Sequence, residues 1–203
     1  MSDTIITIGR QFGSGGREIG EKLSKKLNIP FYDKDLLKRA AKESGLCEEI
    51  FENFDEKPTS SFLYSLVMDP YSLGYTSNGF EMPLNHKVFL AAFDTIKKVA
   101  NEGPCVIVGR CADYALHDYK NCVNLFIQAP MEERIKRIAA KYNLSDDKAK
   151  DMIIKKDKQR ASYYNYYSTR KWADIKNYHM SIDSSLLGID GTVDMILDFV
   201  KRI

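Results

Sequence analysis

The sequence has almost no net charge: 30 Lys and Arg stand against 28 Asp and Glu, leaving +2. A chain so nearly balanced has no global field drawing it to nucleic acid or to a membrane surface, so nucleic acid is not expected as a partner. It also lacks any apolar run near the ~18 residues that a membrane span requires. No basic segment followed by an apolar one opens the chain. No secretory signal is therefore expected, and the cytoplasm is the expected compartment. The four cysteines, Cys47, Cys105, Cys111 and Cys122, form no C-x-x-C pair, and the three histidines lie far apart. Metal-ligand spacing is thus missing and no zinc site is expected. The cysteines are expected to be free, acting as small apolar residues in a reducing compartment. Internal repeats and low-complexity tracts are absent as well.

What is present suits one globular domain spanning residues 1–203, with 44% apolar residues to build a core. Thr4–Gly9, Phe31-Tyr32, Cys105–Val108, Val123–Ile127 and Tyr178–Ile182 are short apolar runs ending near glycine or a polar residue, and read as strands. Helical stripes lie between them: Ile19, Leu23 and Leu27; Leu36 to Ala41, capped by Gly45; Lys87–Ala100; a helix opened by Pro130; Ser145–Tyr167; and Ile189–Ile203. Cys47–Phe54 and Ser61–Met68 read as short helical pieces flanking turn-rich sequence, Ser72–Gly79 included, where mobility is expected. Strands apolar throughout and alternating with helices point to a doubly wound α/β fold: a parallel five-stranded sheet with helices on both faces. Ligands of such sheets bind outside the carboxyl ends of the strands. Function is therefore expected at Gly9–Gly16, Asp33, Gly109–Asp113, Gln128–Glu132 and Asp183.

The stretch "GRQFGSGGRE" carries the strongest signal. A glycine cluster between a strand and a helix lets successive N–H groups converge on an anion, and the helix dipole adds to them. A plain turn needs one or two glycines, not Gly13, Gly15 and Gly16 around Ser14. The phosphate-loop consensus G-x-x-x-x-G-K-[ST] is nevertheless incomplete. Laid without gaps, Arg10 stands at the first glycine, Gly16 at the lysine and Arg17 at the metal-binding hydroxyl. With one extra loop residue, Arg17 takes the lysine position and Glu18 the hydroxyl position. In either register Arg17 is a candidate for the missing cation, because arginine forks onto phosphate oxygens. Ser14 and Glu18 are the candidates for holding Mg²⁺.

"ITIGRQFGSGGREIGEKLSKKLNIPFYDKDLL" resembles the start of cytidylate kinases and of the cytidylate-kinase-like family, P-loop relatives of the nucleoside monophosphate kinases. "CVIVGRCADYAL" is similar to the family's G-R-D segment, with Cys111 in place of aspartate. "NLFIQAPMEERIKRI" resembles its fourth strand and following helix, where Arg134 and Arg137 read as a solvated face. "IIKKDKQRASYYNYYSTRKW" resembles the lid, with Asp157 and Arg160 matching best and Arg170 a weaker candidate. "YHMSIDSSLLGIDGTVDMI" is similar to the closing strand and helix, where Asp183 either binds acceptor or caps a turn.

The resemblance implies a P-loop kinase-like fold with a helical lid at about 145–172 and a variable acceptor-side part at about 46–85. It implies ATP and Mg²⁺ as cofactors and a nucleotide as the partner. It also implies phosphoryl transfer to a nucleoside monophosphate, CMP first. Gly13, Ser14, Gly15, Gly16, Arg17 and Glu18 would bind phosphate; Arg17, Asp33, Arg110 and Arg160 would serve catalysis; Asp33, Arg110, Asp113 and Asp183 would bind the acceptor. The incomplete consensus leaves a second reading open, a nucleotide-binding regulatory module without turnover. Packing is the default for Tyr163, Tyr164, Tyr166 and Tyr167, with base stacking or a homodimer surface as alternatives.

Overall fold

In the computed structural model, the described residues are 3–45 and 84–203. The helical pieces expected between Cys47 and Met68, the Ser72–Gly79 stretch and nearly all of the acceptor-side part lie outside them. The described elements, numbered in chain order, are β1 (Ile5–Arg10), α1 (Gly16–Leu27), β2 (Phe31–Tyr32), α2 (Lys34–Ser44), α3 (Leu84–Glu102), β3 (Val106–Val108), α4 (Ala112–Ala115), β4 (Cys122–Gln128), α5 (Met131–Tyr142), α6 (Asp146–Tyr167), β5 (Met180–Asp183) and α7 (Ser184–Val200).

The five strands form one parallel sheet in the order β2-β3-β1-β4-β5. Strand side chains alternate between the faces, and each face has its own helices. Ile6 and Ile8 pack with Ile19 and Leu23 of α1 and Val193, Ile196 and Val200 of α7. Ile5 and Ile107 face the other way, against Leu36 of α2 and Ile96 and Val99 of α3. The expected doubly wound architecture is therefore present. Among the described residues, no helix is long and apolar enough to cross a membrane.

Local chemistry sets the boundaries. Asn28, Gly45 and Asn143 end α1, α2 and α5 in left-handed conformation, which relieves the last carbonyls of a helix. Among the described residues, Cys105, Cys111 and Cys122 are buried and form no disulfide, and burial pushes Cys105 and Cys122 up to about 12. Three of the four tyrosines of the cluster pack inside: Tyr167 stacks on Phe89 with centroids 4.1 Å apart, and Tyr163 and Tyr164 are buried beside Cys111. Tyr166 stays exposed.

Two features differ from the periodicity reading. The last helix starts at Ser184, five residues early, and is interrupted at Gly188, which is non-helical at φ 65. The short α4 carries no stripe long enough to detect.

Candidate functional site

The glycine stretch closes a tight loop between β1 and α1. Gly13 and Gly15 are left-handed, at φ 83 and φ 82, a conformation that a Cβ opposes. Gly15 is the residue before the helix and has no side chain to cap it. Gly15 therefore offers no side-chain acceptor to the first-turn amides of α1, which carry the helix's positive end. The helix begins at Gly16.

The loop is braced from outside by side chains of α5 and α6. Asp157 accepts a hydrogen bond from the Phe12 amide at 2.7 Å. Arg134 donates to the Asp157 carboxylate at 2.5 Å and to the Phe12 carbonyl at 3.2 Å. Arg137 donates to the Gly13 carbonyl at 2.7 Å. Arg160 donates to the Arg10 carbonyl at 3.1 Å and lies over the Phe12 ring at 5.5 Å. The solvated-face reading of Arg134 and Arg137 is corrected here. Arg134 is buried, in line with Met131 and Ile138 on the apolar stripe of α5. That position, an arginine inside a stripe, was the available signal for it.

Beyond β3 the chain makes an uncommon turn. Gly109, Arg110 and Cys111 are consecutively left-handed, at φ 78, 55 and 56. Non-glycine residues held there cost on the order of 1–3 kcal/mol each, and such strain clusters at functional sites. The turn sends Arg110 inward, with its side chain only 2% exposed and 3.0 Å from Asp33 Oδ1. Arg17 Nε reaches Asp33 Oδ2 at 2.7 Å. Asp33 is thus a buried carboxylate between two guanidinium groups. Burial alone would raise its pKa, but the charge and hydrogen bond of Arg110, followed by the hydrogen bond of Arg17, outweigh it and hold the carboxyl below its ordinary value.

A cleft beside this pair is lined by Arg10, Arg110, Arg160, Asp113, Tyr164 and Tyr178, among others. Asp113, buried in its lining, accepts a 2.6 Å hydrogen bond from Tyr164. Burial pushes the Asp113 carboxyl up, although Tyr164 and the charge of Arg170 oppose it. Burial and the adjacent carboxylate push the Tyr164 hydroxyl up in turn.

The remaining sequence candidates are placed differently. Ser14 is fully buried, and its hydroxyl lies 2.9 Å from the carbonyls of both Gln11 and Ile127. Glu18 is exposed and pairs with Lys22 at 3.7 Å. Donors with this geometry fit a protein-held Mg²⁺ poorly. No cluster of three or more acidic, His or Cys ligands occurs among the described residues. Asp183 ends β5, four strands from β2 and so ~19 Å from the Asp33 edge at ~4.8 Å per strand. Its carboxylate caps α7, accepting from the Ser185 amide at 2.9 Å, so it does not join Asp33 and Arg110. Asp183→Ala is expected to lower stability by about 1 kcal/mol through the lost cap and to leave nucleotide affinity unchanged. Denaturant melts and calorimetric titration check both halves.

A parallel sheet of this order, with a glycine loop feeding a helix and cations around the strand ends, is the architecture of P-loop kinases. Solved structures agree: a shikimate kinase from Bacteroides thetaiotaomicron superposes with a TM-score of 0.56 at 14% identity, covering 98% of each chain. An uncharacterized protein from Eubacterium ventriosum superposes with a TM-score of 0.74 at 29% identity over 98% of this chain and 99% of that one. Residues 5–186 match the Cytidylate kinase-like family, and the chain belongs to that family. Among curated relatives, the cytidylate kinase of Sulfolobus acidocaldarius is 24% identical, covering 97% of this chain and 94% of its own. That of Methanocaldococcus jannaschii is 23% identical, covering 98% of each.

Proposed function

We propose that this chain transfers the γ-phosphoryl group of ATP to a nucleoside monophosphate, with CMP as the first acceptor. The supporting observation is the Asp33 carboxylate, held between Arg17 and Arg110 beside the glycine loop. Phosphoryl transfer is catalysed mainly by positioning and charge neutralisation. In this reading Gly13–Gly16 and the start of α1 receive the phosphates of ATP. Arg110 steers the acceptor phosphate, and Arg160 brings charge from α6, the lid helix, whose Asp157 holds the loop backbone at the Phe12 amide. Asp113 lines the acceptor side.

A carboxyl held below its ordinary pKa is a poor proton acceptor near neutral pH. Asp33 therefore serves as an orienting acceptor for hydroxyl or amino groups of the substrate rather than as a general base. Mg²⁺ would come with ATP and neutralise phosphate charge; of the two sequence candidates, only the exposed Glu18 would be open to hold it, through water.

Arg17 is mostly exposed and is shared between Asp33 and Glu21, so its removal should act on the acceptor side. Arg17→Ala is expected to raise the acceptor KM about 10-fold, the effect of losing a charged hydrogen bond of about 1.5 kcal/mol, with ATP affinity nearly unchanged. The test is a coupled ADP-release assay over CMP, dCMP, UMP and AMP. ATP binding without ADP release in the presence of any acceptor would favour the regulatory module instead.

A further inference from the structure

We infer that Arg10 supplies the cation that the loop lacks at its lysine position, through an exchange of side chains between Arg10 and Gly16. This rests on reading the loop as an ATP site. The helix starts at Gly16, directly after the left-handed Gly15. That start agrees with the ungapped register, which sets Gly16 at the lysine and Arg10 at the first glycine. Gly16 does not have the positive φ of Gly13 and Gly15, so its backbone would accept an L side chain. Space is what forbids one. A Cβ built on Gly16 would lie 2.6 Å from Arg10 Cβ and 3.2 Å from Arg10 Cγ. The stem of Arg10 therefore occupies the volume through which a lysine at position 16 would leave the backbone. Two of the three departures from the consensus are one steric event: the side chain that is missing at 16 is present at 10, packed on the same spot.

The cation also points the right way. Arg10 lines the cleft with Arg110 and Arg160, and its charge is close enough to act on Asp33. It is 9% exposed, so its guanidinium is held in a poorly hydrated place where charge acts strongly. Arg17 is less suited to this task, since its Nε is committed to Asp33 at 2.7 Å and its guanidinium carbon lies 5.8 Å from the Phe31 ring. Arg10 thus contacts the β- and γ-phosphates, and Arg17 and Arg110 balance the acceptor side.

The test compares Arg10→Gln, Arg10→Gly, Gly16→Lys and the double variant Arg10→Gly/Gly16→Lys. Each is checked for folding by circular dichroism, then titrated calorimetrically with ATP and AMP and assayed for ADP release with CMP. Arg10→Gln keeps the packed stem and removes the charge. It is expected to lower kcat about 100-fold and to weaken ATP binding, leaving the already weaker AMP binding in place. Gly16→Lys alone should melt earlier, because two stems compete for one space. The double variant, which restores the consensus order, should recover ATP affinity and turnover to within about 10-fold of the original chain. If Arg10→Gln binds ATP and turns over as the unaltered chain does, or if the double variant is no better than Arg10→Gly, the exchange is wrong. Absence of ATP binding in the unaltered chain defeats the ATP-site reading itself and the exchange with it. ATP binding without turnover leaves the exchange to be decided by the ATP and AMP affinities.

Discussion

Asp157→Ala is expected to lower folding stability by about 3–5 kcal/mol, the usual consequence of removing one partner of a buried ion pair. Arg134 would keep its charge with only 6% of its side chain exposed and without the carboxylate 2.5 Å away. The Phe12 amide would lose its acceptor at the same time. For a chain of this length the fall in Tm should be on the order of 10 °C. The loss of nucleotide affinity should be comparably large, because Asp157 and Arg134 fix the backbone of the loop rather than contacting its ligand. Arg134→Met in the Asp157→Ala background is expected to return much of the stability by removing the stranded charge, and to return little of the affinity. Thermal melts and ATP titrations of the three variants check this. A loss under 1 kcal/mol in Asp157→Ala would place the pair among weak surface contacts.

Asp33→Asn is expected to have the second large effect. The amide keeps the volume but removes the charge between Arg110 and Arg17. Stability should fall by a few kcal/mol, since Arg110 is held inward by the strained turn and cannot turn out to water. Phosphoryl transfer should fall about 100-fold or more, because Arg110 loses the partner that fixes it. The pH dependence has a definite sign. Asp33 has a folded-state pKa below its unfolded value, so its contribution is fully present above the unfolded carboxylate range near ~4. The contribution fades as pH falls through the folded value. The difference in stability between the original chain and Asp33→Asn should therefore be constant at neutral pH and shrink on acidification. Urea melts from pH 7 to pH 3 measure it.

Most of the fold was legible because it is a matter of period and punctuation. Each of the five strands was placed within two residues at either end, since apolar β-branched runs bounded by Gly, Pro and Asn have few other homes. The start of α7 was missed because Asp183 caps it through Ser185 across a polar stretch, and its stripe begins only beyond the Gly188 break. The meeting of two candidates was legible where one residue type follows one strand: Asp33 after β2 and Arg110 after β3 lie 3.0 Å apart. It was illegible where the chemistry depends on contact between distant elements. Arg137 is separated from Gly13 by 124 residues and Asp157 from Phe12 by 145, and no local pattern reports such a meeting. Ser14 misled for the opposite reason. A loop hydroxyl invites a metal, but this one lies beneath the loop at the Gln11 and Ile127 carbonyls. Arg10 and Gly16 were visible as two exceptions to a consensus; only their proximity in space joins them.

The most direct measurement is ADP release by the unaltered chain with ATP and Mg²⁺, across CMP, dCMP, UMP and AMP, beside Asp33→Asn and Arg110→Ala. The site described here predicts acceptor-dependent release led by CMP, with both variants about 100-fold slower. Release that ignores the acceptor, or a panel of acceptors that all leave ATP intact while it binds, would contradict phosphoryl transfer to a nucleoside monophosphate.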